Sequence, residues 1–252
     1  IYPFCMKLNF ESKTVLITGG TRGIGRAIAD VFRNSGANLI LTGTNPKTIE
    51  ELNQKFGGEK LKYLNLDFSN EENISDFFSS MNNIDKIDVL INNAGINIIG
   101  EFIETDNPDF DKLVNINLKG PYQLSKYIVK KMIANNYGRI INICSIWSKI
   151  TRSKRSLYTM TKNGLHGLTQ TMAIELAPHN ILVNSLSPGF TLTDLTKETN
   201  TEDELKSISD MIPIRRLAEP YEIANVALFL ASEQNSYLTG QNIVVDGGFI
   251  NV

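Results

Sequence analysis

The chain of 252 residues is 42% apolar and 21% charged, enough for one domain with a sizeable core. Its formal net charge is −2 with no dense basic run, which removes the long-range attraction that nucleic-acid binding relies on, so no nucleic-acid partner is expected. Two cysteines (Cys5, Cys144) and two histidines (His166, His179) exclude a disulfide framework and a Cys/His metal cluster, and with no signal-like start and no apolar run near the roughly 18 residues of a membrane span, a cytoplasmic protein without membrane contact is expected.

Taken in chain order, short apolar runs alternate with helical patterns. "TVLIT" (14–18) is followed by the helical "IGRAIADVFRNSG", then by "NLILTG" (38–43), a polar helix from Pro46 to Phe56, and "KYLNLD" (62–67). "IDVLINNAG" (87–95) leads into a helix around "FDKLVNINLKGPYQLSKYIVKKMI", then "GRIINICS" (138–145), a helix from Tyr158 to Ala177, "ILVNSLSPG" (181–189) and "NIVVDGG" near the end. Apolar strands separated by crossover helices predict a parallel sheet buried on both faces: a single-domain, doubly wound α/β (Rossmann) fold. The polar stretch 191–213 follows a strand end, where such sheets bind ligands; it reads as a lid or as a surface helix pair.

Between the first strand and helix stand Gly19, Gly23 and Gly25, the arrangement by which a backbone turns tightly and presents N–H groups to a pyrophosphate. Thr21 and Ile24 lie in the same turn. The second strand ends "LILTGTN" with no carboxylate before Glu50, so nothing there repels a ribose 2′-phosphate. Arg22, Thr44 and Asn45 offer a cation and neutral donors instead, which favours NADP(H) over NAD(H) unless Arg22 merely faces solvent.

In "SLYTMTK", Tyr158 and Lys162 are four residues apart on one helix face. A free phenol, with a pKa of about 10, is a poor proton donor or acceptor at neutral pH, and a neighbouring ammonium favours its ionised form. Alone, the pair also suits a solvated helix surface.

The order and spacing of "TGGTRGIG", "LDF" (66–68), "NNAG" (92–95), "VNINLKG", "INICS", "YTMTK", "SPGFTLT" (187–193) and "VDGG" (245–248) resemble the short-chain dehydrogenase/reductase family from about Lys7 to Val252, with Ser145 thirteen residues before Tyr158. The resemblance implies hydride transfer between a nicotinamide and a carbonyl or secondary alcohol. Tyr158 would then exchange the substrate proton, Ser145 would hydrogen-bond the substrate oxygen, Lys162 would bind the nicotinamide ribose, and Asn117 would hold a water linking Lys162 to solvent. It also implies adenine contacts from Asp67 and Phe68, and a ribose site beside Asn93, Ala94 and Gly95. Pro188, Gly189, Thr191 (by its backbone) and Thr193 (by its side chain) would line the nicotinamide and diphosphate.

Within the family the chain looks most like bacterial 3-oxoacyl-[acyl-carrier-protein] reductases, but Asn136 and His179 stand where those enzymes use arginines to grip the carrier protein. Lys149, Arg152, Lys154 and Arg155 lie between Ser145 and Tyr158 with no acid among them, and Trp147 could stack on a substrate face. A phosphorylated sugar, nucleotide-sugar or other small anionic substrate is therefore the rival, with a solvated surface loop or a subunit contact as the plain alternative. A regulator that binds dinucleotide without turnover is the non-enzymatic alternative, disfavoured by the complete set of Asn117, Ser145, Tyr158 and Lys162. The family further implies a homotetramer, built through the helices around Asn117 and Tyr158 and the C-terminal strand. Cys144 reads as a buried strand-end thiol, and the two histidines are given no role.

Overall fold

The computed structural model describes residues 8–252, so Cys5 and Lys7 lie outside the described residues. Its centre is one seven-stranded sheet: β1 (Thr14–Ile17), β2 (Asn38–Gly43), β3 (Leu61–Asn65), β4 (Val89–Asn92), β5 (Gly138–Ile143), β6 (Ile181–Pro188) and β7 (Asn242–Val245). The spatial order is β3-β2-β1-β4-β5-β6-β7 and every pairing is parallel, as in a doubly wound fold. Winding reverses between β1 and β4, which opens a crevice at their carboxyl ends.

The helices are α1 (Gly23–Asn34), α2 (Pro46–Phe56), α3 (Glu71–Ser80), α4 (Asn107–Val114), α5 (Gly120–Ala134), α6 (Ser156–Leu176), α7 (Asp194–Thr199), α8 (Glu202–Met211) and α9 (Pro220–Ala231). They divide the core in two. On one face Ile28 and Phe32 of α1 and Ile223, Ala227 and Leu230 of α9 cover Val15, Ile17 and Ile91; on the other, Phe77 of α3, Leu124 and Ile128 of α5 and Met172 of α6 cover Leu16, Leu90 and Ile140. Burial on both faces explains why the central strands carry unbroken apolar runs. β7 differs: it ends the sheet, and all four of its residues are partly exposed.

Three features depart from the periodicity. α3 and α9 are additional helices within the two flanking layers, and the long helix expected from Phe110 is broken by a π-helical turn over Asn115–Lys119 that joins α4 to α5. The 191–213 stretch forms the pair α7 and α8, each begun by a threonine cap, Thr193 and Thr201. Among the described residues no helix is long and apolar enough to cross a membrane.

Candidate active site

The turn after β1 is fixed from two sides. The Thr18 hydroxyl accepts the N–H groups of Asn93 (3.0 Å) and Ala94 (2.9 Å), and Thr42 accepts the Gly20 N–H through its carbonyl (3.0 Å) and the Gly19 N–H through its hydroxyl (3.3 Å). Gly19 and Gly23 take φ of 63° and 55°, values that disfavour a side chain, and a Cβ on Gly25 would lie 2.2 Å from the Gly19 carbonyl oxygen. Thr21 packs beside Gly43, and Ile24 anchors the first turn of α1 in the core. No side chain caps α1, whose N-cap is the exposed Arg22, so its first N–H groups remain open to an anion. This cradle fits a dinucleotide pyrophosphate.

Two residues expected at the cofactor are engaged elsewhere. The Asn93 amide donates to the carbonyls of Thr18 (2.9 Å) and Gly19 (3.2 Å), so its side chain braces the turn. The Asn45 side-chain oxygen (Oδ1) accepts the Thr48 N–H (3.1 Å) and caps α2, which leaves the side-chain NH2 group for a phosphate beside the exposed Thr44. Farther along the crevice, one Asp67 oxygen accepts the Ser69 N–H (2.9 Å) and hydroxyl (2.6 Å), leaving the other for a ligand. The Phe68 ring is buried where a Cβ on Gly120 would meet it at 2.4 Å, so Phe68 offers its backbone.

The residues expected at the catalytic end follow β5 or lie on α6 and in the π turn. Ser145 follows β5 and accepts the Trp147 N–H (3.3 Å). Tyr158 and Lys162 lie on α6, the Lys162 nitrogen 5.6 Å from the phenol ring centre. Lys162 is 3% exposed and its ammonium donates to the Ile143 carbonyl (2.8 Å); among the described residues no carboxylate pairs with it. A Cβ on Gly95 would stand 3.3 Å from that nitrogen and 3.2 Å from Asn117, so the glycine keeps the space over Lys162 clear. Asn117 sits in the π turn, fully buried. Its amide exchanges two hydrogen bonds with Ile96 (2.9 Å each) and reaches Thr161 (3.3 Å). Its side chain thus braces the loop after β4.

On the far wall, Gly189 is required because a Cβ there would come within 2.7 Å of Asp246, just past Pro188 at the end of β6. The buried Thr191 bonds the Gly189 carbonyl through its hydroxyl (3.1 Å), while its own N–H has no partner among the described residues. Thr193 lies 3.5 Å from a Cβ built on Gly23, so the 191–213 segment begins against the phosphate turn.

The basic loop does not act as one group. Lys154 takes a left-handed conformation (φ 65°) and pairs with Glu101 (3.2 Å), an acid brought in from the loop after β4. Trp147 is 7% exposed, packed edge-on against Phe190 with Arg152 and Arg155 over its ring. The indole expected as a stacking face is thus largely enclosed by the chain's own side chains. Lys149 is exposed. Asn136 and His179 precede β5 and β6, at the opposite end of the strands from Ser145.

Beneath the site runs a chain of buried polar side chains that the sequence did not announce. Asn92 links Ser125 (3.0 Å) to Asn142 (2.8 Å); Asn142 bonds Thr169 (2.8 Å), Thr169 bonds Ser185 (2.9 Å), and Ser185 meets His166 (3.1 Å). Burial, together with the charge of Lys149, holds the His166 imidazole below its ordinary value, so it is neutral at pH 7. Burial pushes the Cys144 thiol up, against the pull of Lys162, which fits an inert strand-end cysteine.

The family described as Enoyl-(Acyl carrier protein) reductase matches residues 19–250. The chain is 39% identical to the 3-oxoacyl-[acyl-carrier-protein] reductase FabG of Aquifex aeolicus over 248 residues, covering 96% of this chain and 99% of that one. It belongs to the short-chain dehydrogenase/reductase family. Among solved members of the family, a gluconate 5-dehydrogenase from Burkholderia cenocepacia in complex with NADP and tartrate superposes with a TM-score of 0.89 at 28% identity, covering 97% of both chains. ElxO with NADP bound gives 0.87 at 32% identity over 95% of this chain and 99% of that one. As a short-chain dehydrogenase/reductase, the chain is a nicotinamide-dependent oxidoreductase.

Proposed function

We propose that this short-chain dehydrogenase/reductase moves a hydride between NADP(H) and a carbonyl or secondary alcohol, residues 8–252 acting as one domain with 191–213 as its lid. The observation that carries the reading is Lys162, a buried ammonium with no carboxylate partner, next to Tyr158 and under the gap left by Gly95. An unpaired buried cation is costly unless a ligand completes its hydrogen bonds, and a ribose hydroxyl at that gap would do so. The bound nicotinamide supplies or accepts the hydride. The Tyr158 hydroxyl then gives or takes the proton at the substrate oxygen, Ser145 donates a hydrogen bond to that oxygen as charge grows on it, and Lys162 stabilises the phenolate. The Thr191 N–H would hold the carboxamide.

The FabG relative supports a 3-oxoacyl group as the carbonyl partner. A second reading, a phosphorylated sugar, nucleotide-sugar or other small anionic substrate, is favoured by Arg152 and Arg155 and by Asn136 and His179 standing where the 3-oxoacyl reductases are expected to carry arginines. Turnover of a short 3-oxoacyl thioester compared with sugar phosphates, each with NADPH, tests the two.

Preference for NADP(H) rests on Arg22, which is exposed at the head of α1 and has no partner among the described residues, and on the absence of an acid at the end of β2. NADPH should bind at least about tenfold tighter than NADH by fluorescence titration, and Arg22→Ala should shrink that ratio. Equal affinities in the unmodified enzyme would refute the argument.

We also propose a cytoplasmic homotetramer. The partly exposed edge strand β7 and the exposed Ile133, Met160 and Ile174 on α5 and α6 are apolar surfaces suited to symmetric contacts. Light scattering should return four chains per particle, and a monomer at micromolar concentration would count against assembly.

A further inference from the structure

We infer that Arg155 is the substrate-anion receptor, gripping a carboxylate or phosphate a few bonds from the reacting carbonyl, with Arg152 reinforcing its charge. This rests on the proposed carbonyl–alcohol chemistry.

The sequence holds eight arginines. Five have a partner in the fold: Arg26 and Arg33 bond Asp30, Arg139 bonds the carbonyls of Gly138, Asn180 and Asn235, Arg215 bonds the Asp210 carbonyl, and Arg216 forms a two-pronged pair with Glu222. Arg22, Arg152 and Arg155 have no acceptor among the described residues. Arg22 stands at the phosphate turn. The other two lie together on Trp147, their guanidinium carbons 5.8 and 5.9 Å from its ring centre.

Two like charges side by side repel, and burying part of one without an acceptor adds to the cost. Arg155 is partly buried, and its Nε is shut off from solvent with no hydrogen-bond partner. Burial first, and then the charge of Arg152, hold its guanidinium below the ordinary value. An oxyanion would answer both deficits, because a planar guanidinium fork matches carboxylate or phosphate geometry.

Position points to the substrate. Arg155 is the N-cap of α6 and lies three residues before Tyr158, so the two share a helix face. No side chain caps α6, and its first N–H groups favour negative charge at the same place. Trp147, whose ring lies beside both arginines, donates its backbone N–H to the Ser145 hydroxyl. Lys154, by contrast, is already neutralised by Glu101 and takes no part.

The test uses matched pairs of ketones with NADPH: acetoacetate against methyl acetoacetate, and hydroxyacetone phosphate against hydroxyacetone. The enzyme should favour the charged member of at least one pair by about tenfold or more in kcat/KM, which also tells carboxylate from phosphate. Arg155→Gln should lower that ratio by about 10- to 100-fold, mainly through KM, and Arg155→Lys should restore part of it. Trp147 is the only tryptophan, so its fluorescence reports the site without turnover. In the NADP+ complex, acetoacetate or inorganic phosphate should give a saturable change that Arg155→Gln removes. No charge preference in the unmodified enzyme, or the same preference and titration in Arg155→Gln, overturns the inference. Loss of the native oligomer in Arg155→Gln with the charge preference intact would instead assign Arg155 to a subunit contact. Failure of NADPH to bind at all would count against the proposed function itself.

Discussion

Replacing Tyr158 by phenylalanine should lower hydride transfer by about a hundred- to ten-thousandfold while leaving NADPH affinity nearly unchanged. The ring stays in place, half-buried beside Lys162, and only the hydroxyl that would carry the proton is lost. Stopped-flow loss of NADPH absorbance gives the rate, and a fluorescence titration gives the affinity. Full activity in the variant would remove Tyr158 from the chemistry, since among the described residues no other phenol or imidazole has a contact with Lys162 or Ser145. His166, the nearest alternative in kind, is tied to Ser185 beneath the sheet.

The second large effect is expected from Gly25→Ala. Its new methyl would fall 2.2 Å from the Gly19 carbonyl oxygen and 2.5 Å from the Asn93 amide. Neither neighbour can withdraw cheaply: one is backbone, and the other holds the turn to β4. Relief must come from opening the phosphate cradle, so NADPH affinity should fall by more than about a hundredfold, with a stability loss of roughly 1–3 kcal/mol. Gly58→Ala is the control, since nothing lies within 4 Å of the position. Calorimetric titration and thermal unfolding check both variants; wild-type affinity in Gly25→Ala would show that the turn yields without loss.

The strands and the candidate catalytic pair on α6 are legible because they depend on local patterns. Apolar runs mark strands buried on both faces, and the i, i+4 spacing alone puts Tyr158 and Lys162 on one side of α6. What stayed hidden depends on partners distant in the chain. Nothing near Asn93 reveals that its amide will be taken by Thr18 and Gly19, some seventy-five residues earlier. Thr18 and Thr42, which hold the turn, look like ordinary strand residues. Lys154 looked like one of four equivalent cations until folding brought Glu101 to it. Nor does the sequence show that Phe190 and two arginines enclose Trp147. The π turn at Asn117 is invisible to periodicity, since one shifted turn barely changes the apolar pattern.

The polar chain from Ser125 to His166 bears on how the two halves of the proposed catalytic apparatus stay aligned. Ser145 rides on β5, whereas Tyr158 and Lys162 ride on α6, and apolar contacts alone would let a helix slide or roll over a strand at small cost. Hydrogen bonds are directional, and those joining Asn142 of β5 to Thr169 of α6, and Thr169 to Ser185 of β6, exist in only one alignment. They work like the teeth of a key, rejecting helix placements that would pack almost as well but would carry the phenol away from the serine. An apolar Asn142 would keep the fold while surrendering that indexing.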